Sequence, residues 1–252
     1  MKIIVPSIGR AGKCNSMKWL PEANRPIVFA VHSDEVEAYR AAYPGCSIMH
    51  LSDSCCKHTG LVRKEIMESV REPFIFVDDD IRVSLKAVNS VEKMIEQIEE
   101  HVGLGGFSMA GLAPQLFSNY AVDKVETIGH DFFAIRNKFV ATVYGINPTH
   151  FDDCPLEVLP VYEDIALVIH AIERGNGTIV TYCATHSNVS PSVGGCNSWR
   201  NEQITIDCLM KLVNLYPHVC SIRETKNTTH SQNIGIGLRV AWSKIKKLEL
   251  PS

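Results

Sequence analysis

Nine cysteines are scattered through the 252 residues, and no two of them form a Cys-x-x-Cys pair. A structural zinc site of the paired-thiol kind is therefore not expected, and an odd count without regular spacing gives no disulfide framework. A large excess of either charge is also missing. The formal net charge is −3, so the overall balance does not announce a nucleic-acid binder, although a local basic patch stays open. No run approaches the ~18 apolar residues of a membrane span, and Met1–Pro6 lacks the long apolar segment of a signal peptide. The expectation is a cytoplasmic, reduced protein with no membrane association. Internal repeats, low-complexity tracts and linkers are missing too, and the chain reads as one domain over residues 1–252. The phosphate-binding loop ending Gly-Lys-Ser/Thr and the dinucleotide fingerprint are both lacking.

What is present is organised around Pro73-Phe74-Ile75-Phe76-Val77-Asp78-Asp79-Asp80-Ile81. The apolar run reads as a strand buried on both faces, as in a parallel sheet. It ends in three carboxylates. In extended geometry Asp78 and Asp80 point to one side and converge. Adjacent like charges repel, and they persist where a cation neutralises them. Hard divalent ions such as Mg²⁺ and Mn²⁺ prefer carboxylate oxygens and bridge to phosphates. The residues therefore point to a metal–diphosphate site at the carboxyl end of a strand, where open α/β sheets bind ligands. The competing reading is an acidic turn, where Asp is common.

Other elements surround this strand. Ile3-Ile4-Val5 reads as a first strand running into Pro6-Ser7-Ile8-Gly9-Arg10-Ala11-Gly12-Lys13. That loop has the glycines and cations of a nucleotide site, or is a solvated turn. Residues 27–31 and 48–51 read as further strands, with a helix after Ser33 between them and another capped by Thr59 with the stripe Val62, Ile66 and Val70 or Ser69. Val88, Val91, Ile95, Ile98 and Val102 mark a long amphipathic helix. The glycines of residues 103–111, Gly105 and Gly106 among them, suggest a strand and loop close to a ligand. Residues 127–136 read as a strand entering the same cleft, with His130 and Asp131 either as polar site residues or as a hydrogen-bonded structural pair.

Glu163 and Asp164 open a helix through Arg174. The helix dipole explains two acids there, and the rival explanation is that one of them is a catalytic carboxylate. Residues 178–183 are another strand leading to His186. Residues 191–198 look like a glycine-bearing lid. A final helix is expected to carry Ile206, Leu209, Met210 and Val213 on one face, and residues 238–252 to form a basic helical tail.

These residues resemble a GT-A glycosyltransferase. The likeness rests on Val-Pro-Ser-x-Gly-Arg-Ala-Gly-Lys after the first strand, Phe-Ile-Phe-Val-Asp-Asp-Asp, and Glu-Asp at a helix start about eighty residues later. More narrowly, the Arg-Ala-Gly start and Asp-Asp-Asp-Ile are similar to the TET-associated, bacteriophage-type branch, which is linked to sugar transfer onto hydroxymethylated pyrimidines in DNA. The resemblance spans roughly residues 2–215. It implies a single Rossmann-like α/β domain with a mostly parallel sheet flanked by helices, a nucleotide-sugar donor, Mn²⁺ or Mg²⁺ as cofactor, DNA as acceptor and no obligate protein partner. A phage-encoded copy would work in the host cytoplasm.

Carried over by position, Asp78 and Asp80 would hold the metal, with His186 as third ligand. Asp79 would lie near the ribose or sugar. Pro6, Ser7, Arg10, Lys13 and Arg63 would bind the nucleotide sugar. Asp164, or Glu163 in its place, would be the base, and Gly105, Gly106, His130 and Asp131 would face the acceptor. One departure is that the second strand ends in Val31-His32-Ser33-Asp34 rather than Asp-Asp-Gly-Ser, so the donor nucleotide stays open. A nucleotidyltransferase, or transfer to a polysaccharide or small molecule, is the alternative.

Overall fold

The computed structural model describes residues 1–115, 126–127, 133–189, 195, 199–224 and 235–247. Its centre is a mixed α/β sheet of ten strands. β1 (Ile3–Pro6), β2 (Ile27–His32), β3 (Ser47–Leu51) and β4 (Phe74–Val77) run parallel in the order β3-β2-β1-β4. The expected parallel, helix-flanked sheet is found here. Beyond β4 the sheet becomes mixed. β9 (Val143–Ile146) lies antiparallel between β4 and β6 (Met109–Pro114). β10 (Thr178–Asn188) is parallel to β6 and antiparallel to β8 (Phe133–Arg136), which pairs with β7 (Glu126–Thr127). The far half of β10 pairs antiparallel with β5 (Ile81–Leu85) after a register shift between Thr181 and Thr185.

Strand alternation divides the core into two clusters on opposite faces. Ile4, Phe74 and Phe76 face one cluster, shared with α2 (Thr59–Ser69), α4 (Glu163–Glu173) and α5 (Glu202–Leu215). Ile3, Val5, Ile75 and Val77 face the other, shared with α1 (Val36–Ala42) and α3 (Val91–Gly103). Ser90 caps α3, accepting from the Lys93 N–H, and the expected apolar stripe is buried.

Several expectations change. α2 is capped by His58, whose Nδ1 accepts from the Leu61 N–H, and it buries Arg63 rather than Val62. α5 buries Thr205, Cys208, Leu209 and Leu212, one step round from the predicted face, and leaves Met210 exposed. Residues 238–247 are not a helix. Ile236–Val240 form β12, paired with β11 (Cys220–Glu224), and a short 3₁₀ turn follows. Ile236, Leu238 and Val240 alternate with period two, which overrides the basic composition of the tail. His130 and Asp131 lie outside the described residues, as does the expected lid except for Gly195.

Candidate active site

A cleft of about 440 Å³ opens at the carboxyl ends of β1 to β4. Its lining includes Pro6, Ser7, Arg10, Arg63, Glu163 and all three aspartates. The aspartate turn is anchored by backbone bonds from three separate segments. Thr142 O accepts from the Asp78 N–H at 2.9 Å, Asp79 O from the Ser16 N–H at 3.2 Å, and Asp80 O from the Val189 N–H at 2.8 Å. The Ser16 hydroxyl also donates to Asp78 O at 2.5 Å.

Each aspartate has its own partner. Arg63 Nη2 donates to Asp78 Oδ1 at 2.6 Å. Asp79 is 6% exposed and is held on both oxygens, by the Ser7 hydroxyl and by Arg10 Nη1. Arg10 Nη1 also lies 3.4 Å from Asp80 Oδ2, and Asn188 Nδ2 donates to Asp80 Oδ1 at 3.4 Å. Burial pushes the Asp79 carboxyl up to about 6, against the pull of Ser7 and Arg10. Burial and the charge of Asp78 likewise raise Asp80. Arg63 is buried over the Phe76 ring at 4.5 Å, its Nε is 3.6 Å from Glu163 Oε1, and its Nη1 has no hydrogen-bond partner.

Tyr39, which sequence reasoning missed, ties the first loop together. It is fully buried on α1, and its hydroxyl lies 2.6 Å from the Ser7 hydroxyl and accepts from the Arg10 N–H at 3.2 Å. Because Ser7 donates to Asp79, Tyr39 must donate to Ser7. The result is a closed circuit: Arg10 N–H to Tyr39, Tyr39 to Ser7, Ser7 to Asp79, and the Arg10 guanidinium back to Asp79. The middle aspartate is therefore engaged by the protein's own loop. A Ser or Tyr in such a role leaves no spacing signal, since the partners are 32 and 72 residues apart.

The acidic pair divides its tasks. Glu163 is 8% exposed, accepts from the Thr59 hydroxyl at 2.6 Å and faces Arg63. Asp164 sits beside it, half-buried, its Oδ1 accepting from its neighbour's Ile165 N–H at 2.9 Å. Burial, with the charges of Glu163 and Asp78 added, raises the Asp164 carboxyl to about 7. Tyr162, directly before the pair, holds a left-handed backbone at φ 65°, the kind of local strain that collects at functional sites.

Other expected site residues are not gathered here. Among the described residues no three His, Cys, Asp or Glu side chains come together as a metal site, so Asp78, Asp80 and His186 do not form a three-ligand set. The register explains it. Asn188 pairs with Ile81, which brings Asn188 to Asp80, while His186 pairs with Val83. The buried His186 ring meets the Thr142 hydroxyl at 2.8 Å instead, and burial lowers it to about 4. Lys13 is exposed and outside the cleft lining. Gly105 and Gly106 sit before β6, whose Met109 aligns through Ile146 with Phe74 at the start of β4. They lie at the opposite end of the sheet from Asp78. A Cβ on Gly105 would stand 2.7 Å from the His101 carbonyl oxygen, so close packing at the end of α3 accounts for this glycine.

The donor set nevertheless fits a hard divalent cation. Asp78, Asp79, Asp80 and Glu163 are met by two guanidiniums, Arg10 and Arg63, which leaves an excess of two negative charges when all four are ionised. Asp78 and Asp80 offer carboxylate oxygen, and such an ion keeps further positions for water and phosphate oxygens.

The fold is GT-A-like. GalNAc-T7, solved with UDP, GalNAc and Mn²⁺, aligns with a TM-score of 0.54 at 8% identity over 84% of this chain and 47% of its own. S. aureus TarS 1–349 in complex with UDP aligns at TM-score 0.45 and 14% identity, over 85% of this chain and 66% of its own. UDP-glucose pyrophosphorylase complexed with UDP-glucose aligns at 0.44 and 11%, over 86% and 98%. No curated protein matches the sequence. Residues 1–110 match the family described as TET-Associated Glycosyltransferase. Among the described residues no helix is long and apolar enough to cross a membrane.

Proposed function

We propose that the chain is a glycosyltransferase, one domain acting in the cytoplasm, that moves a sugar from a nucleotide-diphosphate donor to a hydroxyl, and that the acceptor is a hydroxymethylated pyrimidine in DNA. The observation that carries the transfer reaction is the charge arrangement: three aspartates and Glu163 clustered around Arg10 and Arg63, in a cleft that Lys57 and Arg200 also line. The family match over residues 1–110 supports the same reading and favours the DNA acceptor.

Asp78 and Asp80 are the residues that would hold Mn²⁺ or Mg²⁺. When bound, the ion supplies positive charge to the departing diphosphate. Arg63 lines the cleft and is the residue that would meet a donor phosphate oxygen or sugar hydroxyl. Pro6, Ser7 and Arg10 shape the nucleotide side, with Asp79 fixing that loop. Asp164 takes the acceptor hydroxyl's proton. A carboxylate near pH 7 is well matched to that task, whereas Glu163 is already engaged by Thr59 and Arg63.

Product analysis tests the reaction. Hydroxymethylated DNA incubated with a panel of nucleotide sugars should gain a hexose or pentose by mass spectrometry and release a nucleoside diphosphate. Release of pyrophosphate from a nucleoside triphosphate would mark a nucleotidyltransferase instead, and transfer to a polysaccharide alone would replace the acceptor.

A further inference from the structure

We infer that Trp199 and Arg200 form the acceptor side of the cleft, and that they suit a planar aromatic ring with a phosphate beside it, as in one nucleotide unit of a nucleic acid. This rests on the glycosyltransferase reading and assigns residues to a part of the site that reading leaves open.

Connectivity places them. Gly195 donates its N–H to Ile8 O at 3.2 Å, on the first loop. A Cβ there would stand 2.7 Å from Arg10 Nη2, so the chain passes directly over that guanidinium. Five residues later, the Arg200 guanidinium lies over the Tyr162 ring at 4.7 Å. Tyr162 immediately precedes Glu163 and Asp164. Gly195 is therefore at the donor loop and Arg200 beside the acidic pair, and both Trp199 and Arg200 line the cleft. An acceptor hydroxyl has to reach a base within about 3 Å. A side chain stacked beside Tyr162 is thus beside the acceptor.

Chemistry narrows the ligand. Arg is a flat cation that stacks on aromatic faces and binds phosphate through paired N–H groups. Trp offers a second π face, and stacking of bases on such faces is how unpaired nucleotides are held. Lys57 lines the same cleft and is exposed. A sugar acceptor would instead need carboxylates or amides for its hydroxyls. Among the carboxylates that line the cleft, Glu163 is engaged by Thr59 and Arg63. The lining thus favours a nucleotide over an oligosaccharide.

The chain has three tryptophans, and the other two are packed in the fold: Trp19 is 7% exposed and Trp242 packs on Phe139. Titrating the full chain with a short single-stranded oligonucleotide should quench tryptophan emission, and Trp199→Phe should remove most of that quench. With hydroxymethylated oligonucleotide as acceptor, Trp199→Leu should raise the acceptor KM about 10-fold or more, the scale of one lost stacking contact. Arg200→Leu should do likewise, Arg200→Lys should recover only part, and the donor KM should move by less than about 2-fold. No quench, or a quench that survives Trp199→Phe, overturns the assignment. So does an unchanged acceptor KM in both Leu variants, or an increase confined to the donor KM. If the wild-type chain transfers no sugar, the glycosyltransferase reading fails, while the quench still decides whether this wall binds a nucleotide.

Discussion

The two ends of the central sheet are built on different principles. Where β4 finishes, buried ionisable groups crowd together: Asp79, Arg10, Arg63 and Glu163 are all under 10% exposed, and Arg63 keeps one N–H group without a partner. Where β4 starts, Ser108 and its partners form a neutral, hydrogen-bonded network. Ser108, fully buried, meets His150 Nδ1 at 2.9 Å and accepts from the Asn176 N–H at 2.7 Å, and its carbonyl accepts from the Asn147 N–H at 3.0 Å. A satisfied neutral network stabilises the fold. A crowded, under-neutralised one costs stability and makes sense where a charged ligand completes it. The comparison assigns function to one end and packing to the other.

The largest effect should come from removing the charge that the functional end holds in excess. Asp78→Asn or Asp80→Asn is expected to lose about 10³-fold or more in turnover, because a metal's charge stabilisation is worth several kcal/mol. The fold should survive, since one of several repelling carboxylates is gone. Turnover and thermal melting together check this. Wild-type turnover in either variant would make the two ends functionally alike.

Asp164→Asn comes next, with an expected loss of about 10²–10⁴ in turnover. As the base, Asp164 must be ionised, so the wild-type rate should fall as pH drops below about 7, and the variant should lack that limb. Stability moves the opposite way. Burial raises the folded carboxyl above its unfolded value, so the protonated form favours folding, and this contribution is lost as pH rises from about 4 to about 7. The Asn variant should therefore gain more in melting temperature at pH 8 than at pH 5. If Glu163→Gln carries the whole rate loss instead, the base is its neighbour.

How much of this was legible in the sequence follows the same division. The donor half reads directly from the chain, because β1, β4 and the intervening helices are built from neighbouring residues with clear periodicity, and Asp78–Asp80 stand at a strand end. β9 was not read. Val143-Tyr144-Gly145-Ile146 is a short apolar run without alternation, and only its antiparallel seat between β4 and β6 makes it a strand. β5 was likewise missed, because its partner β10 lies a hundred residues on. The aspartates were found by charge pattern, and Arg63 through the resemblance to GT-A enzymes. Tyr39 and Thr142 were not, because a buried hydroxyl gives no signal until its distant partners are brought to it. The glycines at 105–106 misled because a packing requirement and a ligand approach leave the same residue in the sequence.

Two smaller effects sharpen the contrast. Tyr39→Phe removes one hydroxyl from the circuit that orients Ser7 and Arg10, and a buried hydrogen bond of this kind is worth about 1 kcal/mol. The donor KM should rise up to about 10-fold with turnover nearly retained, as steady-state kinetics would show. At the other end, Gly105→Ala forces a methyl against the His101 carbonyl. It should lower the melting temperature by a few degrees, the usual response to about 1–2 kcal/mol in a chain of this size, and leave both KM values unchanged. A raised acceptor KM there would return Gly105 to the site.

The central claim is that the excess negative charge at the end of β4 is completed by a divalent cation together with a nucleoside diphosphate. Calorimetric titration of the full chain with a panel of nucleoside diphosphates, in Mn²⁺ and again in EDTA, addresses it directly. The account predicts saturable binding of at least one of them in Mn²⁺, weakened about 100-fold or more in EDTA and equally weak for Asp80→Asn in Mn²⁺. Equal affinity in Mn²⁺ and EDTA, or no binding by any member of the panel, would contradict it.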